Sequence, residues 1–517
     1  MSISTRLPGP RRLFASATAA VLLMTAGCSG GGPDSPDPSQ KATRLSLSIQ
    51  GAPASFEPTR IDAGQSSYVW RALYDTLLHI DNDGRLQPHA AQRYEYSADR
   101  RTLTLTLRKG MTFSSGAPVN AAAVKATLER IRDTPGPNQA NIADAVASVE
   151  APDDLTVVVG LKRPSGSLLW NLAGVNGVIA DPATMARAST ATDPVGSGPY
   201  TLDKGATVNG SDYTLKKRKG HWNADAYPFE TVRVRVMGDR AAVVNALRAG
   251  ELNAGSVDPT QVGPLRSAGL RISPVKAFTV GNLVLADRAG TSLEPLGDVR
   301  VRRAINMSFD RTKLVAAFLK GVGVPSTQLF NPKGQAYDAQ LDKAYPFDIA
   351  AARKLMAEAG YAQGFPVKMP SFVTTKPFEP VIAQSLAAIG IKVTWEAVPI
   401  QRQATTLAAA KYPMYFVIYG LDTDAVLTTL YTMPGTPTNP FKSSDPDLTA
   451  LIGQANRAGD PAGAGAAYRG INKFFVDNAW FAPLMDIGVT WVTGKGVKHL
   501  GDGSSTAIDI RNFGTAG

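Results

Sequence analysis

The side chains that most often do chemistry are scarce in this chain. Of its 517 residues one is cysteine, Cys28, and four are histidine, His79, His89, His221 and His499. A single cysteine excludes an internal disulfide, a zinc ribbon and a CxxC redox pair. The histidines are scattered along the sequence and include no HExxH, so a zincin-type metal site is not indicated. No GxSxG elbow, Walker A loop or GxGxxG dinucleotide turn occurs, and Gly196-Ser197-Gly198 lacks the spacing of a nucleophile elbow. That leaves the carboxylates, 43 Asp and Glu. A glycosidase-type carboxylate pair leaves no short signature, so an extracellular carboxylate-dependent hydrolase remains an alternative. The reading favoured here is binding without turnover: no catalytic residue, no metal and no cofactor.

Any such binding residues must be carried by a large α/β body. Apolar residues are 44% and charged residues 19%, a globular balance, and the length calls for two or more lobes. Leu45, Leu47 and Ile49, then Leu103, Leu105 and Leu107, then Val232, Val234 and Val236 repeat every second residue, the pattern of half-buried strands. Helices are expected after Asn120 (Val124, Leu128, Ile131), Asp239 (Val243, Val244, Leu247), Asp310 (Leu314, Phe318) and Asp348 (Ile349, Ala352, Leu355, Met356, Ala359). Gly250, Gly321 and Gly360 are the expected stops of the last three turns of chain named Asp239, Asp310 and Asp348. No repeat of 20–50 residues argues for a solenoid.

The N-terminus reads as an address. Arg6, Arg11 and Arg12 precede an apolar run from Leu13 to Ala26, the n-region and h-region of a signal peptide over residues 1–27. The run ends Leu23-Met24-Thr25-Ala26-Gly27-Cys28, which resembles a bacterial lipobox with Thr25 where leucine is usual. Cys28 would carry the lipid and hold the protein at the outer face of the cell membrane. Residues 28–41, rich in Gly, Ser, Pro and Asp, form a flexible tether. The net charge of +11 falls to +8 without the three arginines of the signal. No basic run with interleaved aromatics suggests nucleic acid.

Six segments occur in a recognisable order. They are Trp70 to Leu78 with Asp83 to Ala91; Leu103 to Phe113 with Ser115 to Ala121; Pro194-Val195-Gly196-Ser197-Gly198-Pro199-Tyr200; Leu247 to Asn253; Gly297 to Arg311; and Lys354 to Gly360 with Gly364-Phe365. Together they resemble the family-5 extracellular solute-binding proteins of ABC importers, the oligopeptide, dipeptide and nickel-binding group. Asn253 stands where the family has Asp, and Ala123-Val124 replaces its usual Asp-Val. These segments are expected to maintain the fold rather than touch ligand.

The resemblance implies an α/β, two-lobed type II periplasmic-binding-protein fold with an extra subdomain in the first lobe. Lobe I would combine 42–80, 200–280 and 486–517, the extra subdomain 81–199, and lobe II 281–485. Connections would run near Phe278–Asn282 and Leu484–Ile487. A small solute, with a short peptide favoured, would bind between the lobes and pass to the importer's permease and ATPase subunits, the protein acting as a monomer. A peptide-sensing receptor outside transport is a further alternative on this fold. Peptide-binding members carry an Asp shortly after a Trp that pairs with the peptide α-amine. Tyr419-Gly420-Leu421-Asp422 occupies the comparable place, so Asp422 is the expected amine anchor, with Asp424 as competitor. Phe56, Asn176, Phe278, Asn282, Met485 and Asp486 are further cleft candidates by family topology. Trp170, Trp395 and Trp480 are assigned to core or lobe interface.

Overall fold

The computed structural model describes residues 43–516 except 459, 460 and 506. The signal, Cys28 and the tether lie outside the described residues. Among the described residues no helix is long and apolar enough to cross a membrane.

Helices start where a short acceptor side chain takes one of the first free amides. Asn120 Oδ1 accepts from Ala123 N (3.0 Å) and opens the helix Ala121–Asp133. Asp239, Asp310 and Asp348 cap Arg240–Arg248, Arg311–Leu319 and Ile349–Glu358 in the same way. The expected apolar faces are buried at Val124, Leu128, Ile131, Val243, Leu247, Leu314, Ala352 and Met356. Phe318 is only partly covered, 37% exposed, and rests on the ring of Phe378.

Nine strands among the described residues form the central sheet. Along the chain they are β1 (Arg44–Ile49), β2 (Tyr200–Leu202), β3 (Asp212–Lys217), β4 (Thr231–Val236), β5 (Ala254–Val257), β6 (Arg271–Leu285), β7 (Gly323–Pro325), β8 (Met414–Gly420) and β9 (Ala482–Thr493). The order across the sheet is β8-β6-β9-β5-β1-β4-β3-β2, with β7 also on β9. β1 runs parallel to β4 and β5, and the other pairs are antiparallel. The alternation in β1 suggested one solvated face, yet Ser46 and Ser48 are buried as well. Small side chains there let the helix Arg240–Arg248 close over this face, where Val243 and Leu247 reach neighbouring Gly255. A separate antiparallel sheet, in the order 91–96, 102–107, 156–161, 146–150, packs on the helix Ala121–Asp133.

The buried apolar residues divide into two bodies. One gathers Leu45, Tyr68, Leu103, Val232 and Val275 with Trp491 and Phe513, and a satellite forms around Val243 and Leu265. The other lies on both faces of β6 and β8, with Val280, Val284, Tyr415 and Val417 on one face and Leu283, Leu285, Met414 and Phe416 on the other. Only β6 and β9 among the sheet strands contribute to both. Their register breaks at the boundary, where Val275 pairs with Val489 and Thr279 with Ile487, so residues 276–278 bulge opposite Gly488 alone; it shifts again between Gly281 and Asn282, which pair with Met485 and Pro483. A Cβ on Gly488 would stand 2.3 Å from Val275 O, so glycine is required for the strands to pass.

Two of the motifs act as backbone fasteners. A Cβ on Gly198 would lie 2.4 Å from Leu73 C and 2.5 Å from Tyr74 N, so this turn can sit against the end of the helix Ser67–Leu73 only as glycine. In the segment from Gly297 to Arg311, Arg302 donates to the carbonyls of Leu296, Gly297, Asn478 and Ala479. Arg311 donates to those of Asn306, Ser326 and Pro483. Both guanidiniums are buried without a carboxylate partner, and burial pushes each pKa down to about 10.

Candidate functional site

The turn from β8 into the helix Asp424–Thr432 carries Asp422. Leu421 N donates to Phe278 O (3.0 Å), which ties this turn to the bulge of β6. Asp422 Oδ1 accepts from Thr423 N (2.6 Å), and the residue is solvent-exposed. Surrounding protein nevertheless desolvates the carboxyl and raises its pKa, against the opposing pull of the Thr423 amide and the Arg71 charge. The side chain is open to solvent, and the protein around it still disfavours its charged form. Gly420 beside it is exposed, with no atom within 4 Å of where a Cβ would lie.

Arg71, on the first body, is near enough for its charge to act on the Asp422 carboxyl. It is the half-exposed residue of the helix Ser67–Leu73, whose other six residues are buried. One Nη donates to Ala173 O (3.0 Å), and the guanidinium lies over the Trp70 ring, 4.6 Å from its centroid. Ala173 ends the helix Leu168–Leu172, which packs against the helix Asp424–Thr432. Burial lowers the Arg71 pKa, while the charges of Asp509 and, more weakly, Asp422 raise it. No ion pair joins Arg71 to Asp422.

Several contacts hold the two bodies together around this place. Gly166 N donates to Asn456 Oδ1 (2.9 Å), Asn331 Nδ2 to Gly503 O (3.2 Å), and Lys333 pairs with Asp502. Trp170 packs against the core of the second body, as an interface tryptophan should. Trp395 and Trp480 sit at or in the second body's own cores.

Behind Asp422 lies a polar layer in the sheet. Val280 pairs with Tyr419 on one side and Asp486 on the other, and Asn282 follows on the same face of β6. Asn282 is fully buried and neither amide atom has a partner. Asp486 is buried with Oδ1 unpartnered; burial raises its pKa well above the ordinary range, Asp342 adds to this, and Ser326 opposes it. The phenols of Tyr419 and Tyr431 are both raised by desolvation, and Tyr431 feels Tyr419 and Asp486. Asp424 is committed elsewhere. Its Oδ2 accepts from Ala336 N (3.0 Å), and burial pushes its pKa up to about 6.

Three expected cleft residues have their side chains turned to other work. Met485 alternates with Asp486 and so points into the opposite core, against Phe416 and Gly281. Phe56 is buried edge-on to Tyr213. Asn176 is buried, donating to Asn138 O (2.8 Å) and accepting from Asn141 Nδ2 (3.3 Å). Phe278 is half-buried on the bulge itself.

Sequence reading missed two features. Arg71 was counted as part of a fold motif, although a lone arginine within Ser67–Leu73 was a visible signal. Three of the four histidines, His79, His89 and His221, gather in space. His221 Nε2 lies 3.2 Å from both Asp75 carboxylate oxygens, Trp222 Nε1 donates to Asp75 (3.2 Å), and the His79 and His89 rings are 5.7 Å apart. Burial pushes the Asp75 pKa up, but the bond and charge of His221 outweigh it and hold the group low. Among the described residues no group of three or more His, Cys, Asp or Glu is placed to hold a metal ion.

Residues 85–441 match the model for bacterial extracellular solute-binding proteins, family 5, middle. The glutathione-binding protein GsiB of Escherichia coli K12 is 27% identical over 438 residues, covering 81% of this chain and 84% of that protein. The periplasmic binding protein DppA of Helicobacter pylori, solved with the peptide STSA, superposes with a TM-score of 0.78 at 21% identity, covering 92% of this chain and 98% of its own. A dipeptide-binding protein of Pseudoalteromonas sp. SM9913, solved with Met-Leu, gives 0.76 at 19% identity, covering 92% and 100%. The shared fold is the two-lobed type II periplasmic-binding-protein architecture.

Proposed function

The chain belongs to the family-5 bacterial extracellular solute-binding proteins, the substrate-binding components of ABC importers, and on that footing we propose that it captures short peptides through their free α-amine. The observation that supports this reading is Asp422: a carboxylate open to solvent, on the turn tied to the bulge of β6, and joined to no cation by an ion pair. A peptide ammonium placed there makes a charge-assisted hydrogen bond and relieves a desolvated charge. The names of the relatives point the same way, since GsiB is named for glutathione and two similar structures hold peptides.

In this reading lobe I comprises 42–80, 200–280 and 486–517, with 81–199 as its extra subdomain, and lobe II comprises 281–485. The register break at 276–278 opposite Gly488 supports those boundaries. Closure brings the lobes together over the peptide, and the closed form delivers it to the permease. Cys28 anchors the protein by lipid at the outer membrane face, and the protein binds cargo without altering it. The test is a thermal unfolding screen of peptides, sugars and metal chelates. Peptides should raise Tm, and the rise should grow with the logarithm of peptide concentration above Kd; a shift with sugars or chelates and none with peptides refutes the assignment.

A further inference from the structure

The first body carries a charged hollow that peptide binding does not use. We propose that this face, built on Arg44, Arg233 and Arg235, docks on the anionic phospholipid headgroups of the membrane that holds the protein. This rests on the Cys28 anchor proposed above and adds to it an electrostatic contact that fixes which side of the first body meets the bilayer.

Along β4 the side chains alternate: Val232 and Val234 are buried in the core, and Arg233 and Arg235 stand on the other face. Arg44 pairs with Thr231 and Ser46 with Arg233, so β1 sets Arg44 on that same face. The three arginines line an open hollow of about 440 Å³ with Ser46, Glu251 and Asn253, and no apolar side chain lines it. Asn253 spends its amide on β1, accepting from Ser46 N (2.7 Å) and donating to Arg44 O (2.8 Å), which holds the strand end that carries Arg44. Arg233 is paired with Asp212, and Arg235 with Glu251 (2.9 Å), in ion pairs open enough to solvent to be weak. The Arg44 guanidinium is exposed and meets no acceptor among the described residues. A polar hollow lined by three guanidiniums and one carboxylate suits phosphate oxygens, which the planar fork of arginine holds.

The place of the hollow names the source of the phosphate. Arg44 stands sixteen residues after Cys28, and a chain spans at most about 3.6 Å per residue, so the anchor keeps Arg44 within about 60 Å of the bilayer. Headgroups are therefore present at high effective concentration, and weak contacts add up. An acidic protein would meet the same charges with no such tether to bring it. The hollow is also clear of the crossing between the bodies: Leu47 pairs with Ala254, Ala254 with Thr493, and Thr493 with Arg271, ahead of the bulge at 276–278. Docking there leaves rotation between the bodies free.

The lipidated protein, reconstituted in vesicles of phosphatidylcholine or of phosphatidylglycerol, tests this by flotation and by phenylglyoxal labelling of arginines read by mass spectrometry. It should float with both. Labelling of Arg44, Arg233 and Arg235 should fall more than about fivefold on phosphatidylglycerol alone, and recover at high salt. Exposed Arg402, on the second body, should label equally on both. Arg44→Gln loses no partner within the fold, and should lower the docked-to-free ratio, read at Arg233 and Arg235, about fivefold. Flotation with both vesicles and equal labelling of the three arginines overturns the docking and leaves the anchor standing. Protection by inorganic phosphate or by polyglutamate, with none by phosphatidylglycerol, also overturns it, in favour of a free anion or an acidic protein. Failure to float with phosphatidylcholine overturns the anchor, and failure with both vesicles overturns both readings.

Discussion

Replacing Arg311 by Met tests the claim that the strongest sequence motif fastens backbone rather than ligand. Arg311 Nε donates to Ser326 O (3.0 Å) and Pro483 O (2.9 Å), and its two Nη atoms to Asn306 O (2.8 Å) and Oδ1 (2.9 Å). Methionine fills much of the volume but leaves these four buried oxygens without their donor. At about 2 kcal/mol for each lost charge-assisted bond, the loss is about 8 kcal/mol. Against this stands the cost of burying the cation, which shows as a pKa pushed down to about 10. At about 1.4 kcal/mol per pKa unit that returns about 3 to 4 kcal/mol. The net expectation is a destabilisation of about 4 kcal/mol, read as a lowered urea midpoint at neutral pH followed by near-UV circular dichroism. Arg311→Lys should lose about half as much, since a compact ammonium cannot span three separate carbonyls. A loss below about 1 kcal/mol for Met, or a Lys variant matching wild type, would refute the reasoning.

Asp422→Asn should weaken free-amine peptides about 10–100-fold and leave N-acetyl peptides nearly unchanged in calorimetric titration; equal losses refute the anchor. Gly198→Ala should cost more than about 3 kcal/mol or abolish soluble yield, because the clash is with backbone at Leu73 and Tyr74, whereas Gly220→Ala meets no atom within 4 Å and should be neutral in the same melting assay. Burial holds His89 and His499 at about 4, below the ordinary histidine value. The unfolded chain therefore binds more protons between about pH 6.5 and pH 4, and their contribution is complete above that span and lost as pH falls through it. Asp424, pushed up to about 6, has the opposite sign and gains stability over nearly the same span. Asp424→Asn should thus steepen the acid loss of stability measured by urea titration at a series of pH values, and an unchanged slope would contradict the sign.

What could be read in the sequence was local. Asn120, Asp239, Asp310 and Asp348 sit one residue before their helices because a cap bonds within its own turn. The alternating runs at Leu45, Leu103 and Val232 are strands because side chains alternate faces. Long-range partners were hidden. The oxygens that hold Arg302 and Arg311 include carbonyls more than 170 residues away, and no side-chain pattern announces a carbonyl. The Asp75 group unites residues 75, 89 and 221, whose spacing carries no period. β6 was obscured because its burial changes midway: partly exposed before the bulge, buried on both faces after it. Met485 and Asp486 were placed in one site by proximity in sequence, where strand pleating sends neighbours to opposite faces.

The bulge at 276–278 has a kinetic consequence. Two adjacent strands joined by hydrogen bonds twist more easily than they stretch, so if the bodies rotate on each other, as the proposed closure requires, the interrupted ladder at 276–278 is the place that yields most readily. Leu421 is bonded to Phe278 at that interruption, so Asp422 beside it would move little in such a rotation. The Gly166–Asn456 contact is joined to neither crossing strand and would be among those such a rotation breaks. A ligand held at Asp422 would then be unsheathed from its far end first, and the end that docks near the pivot would be the last to leave.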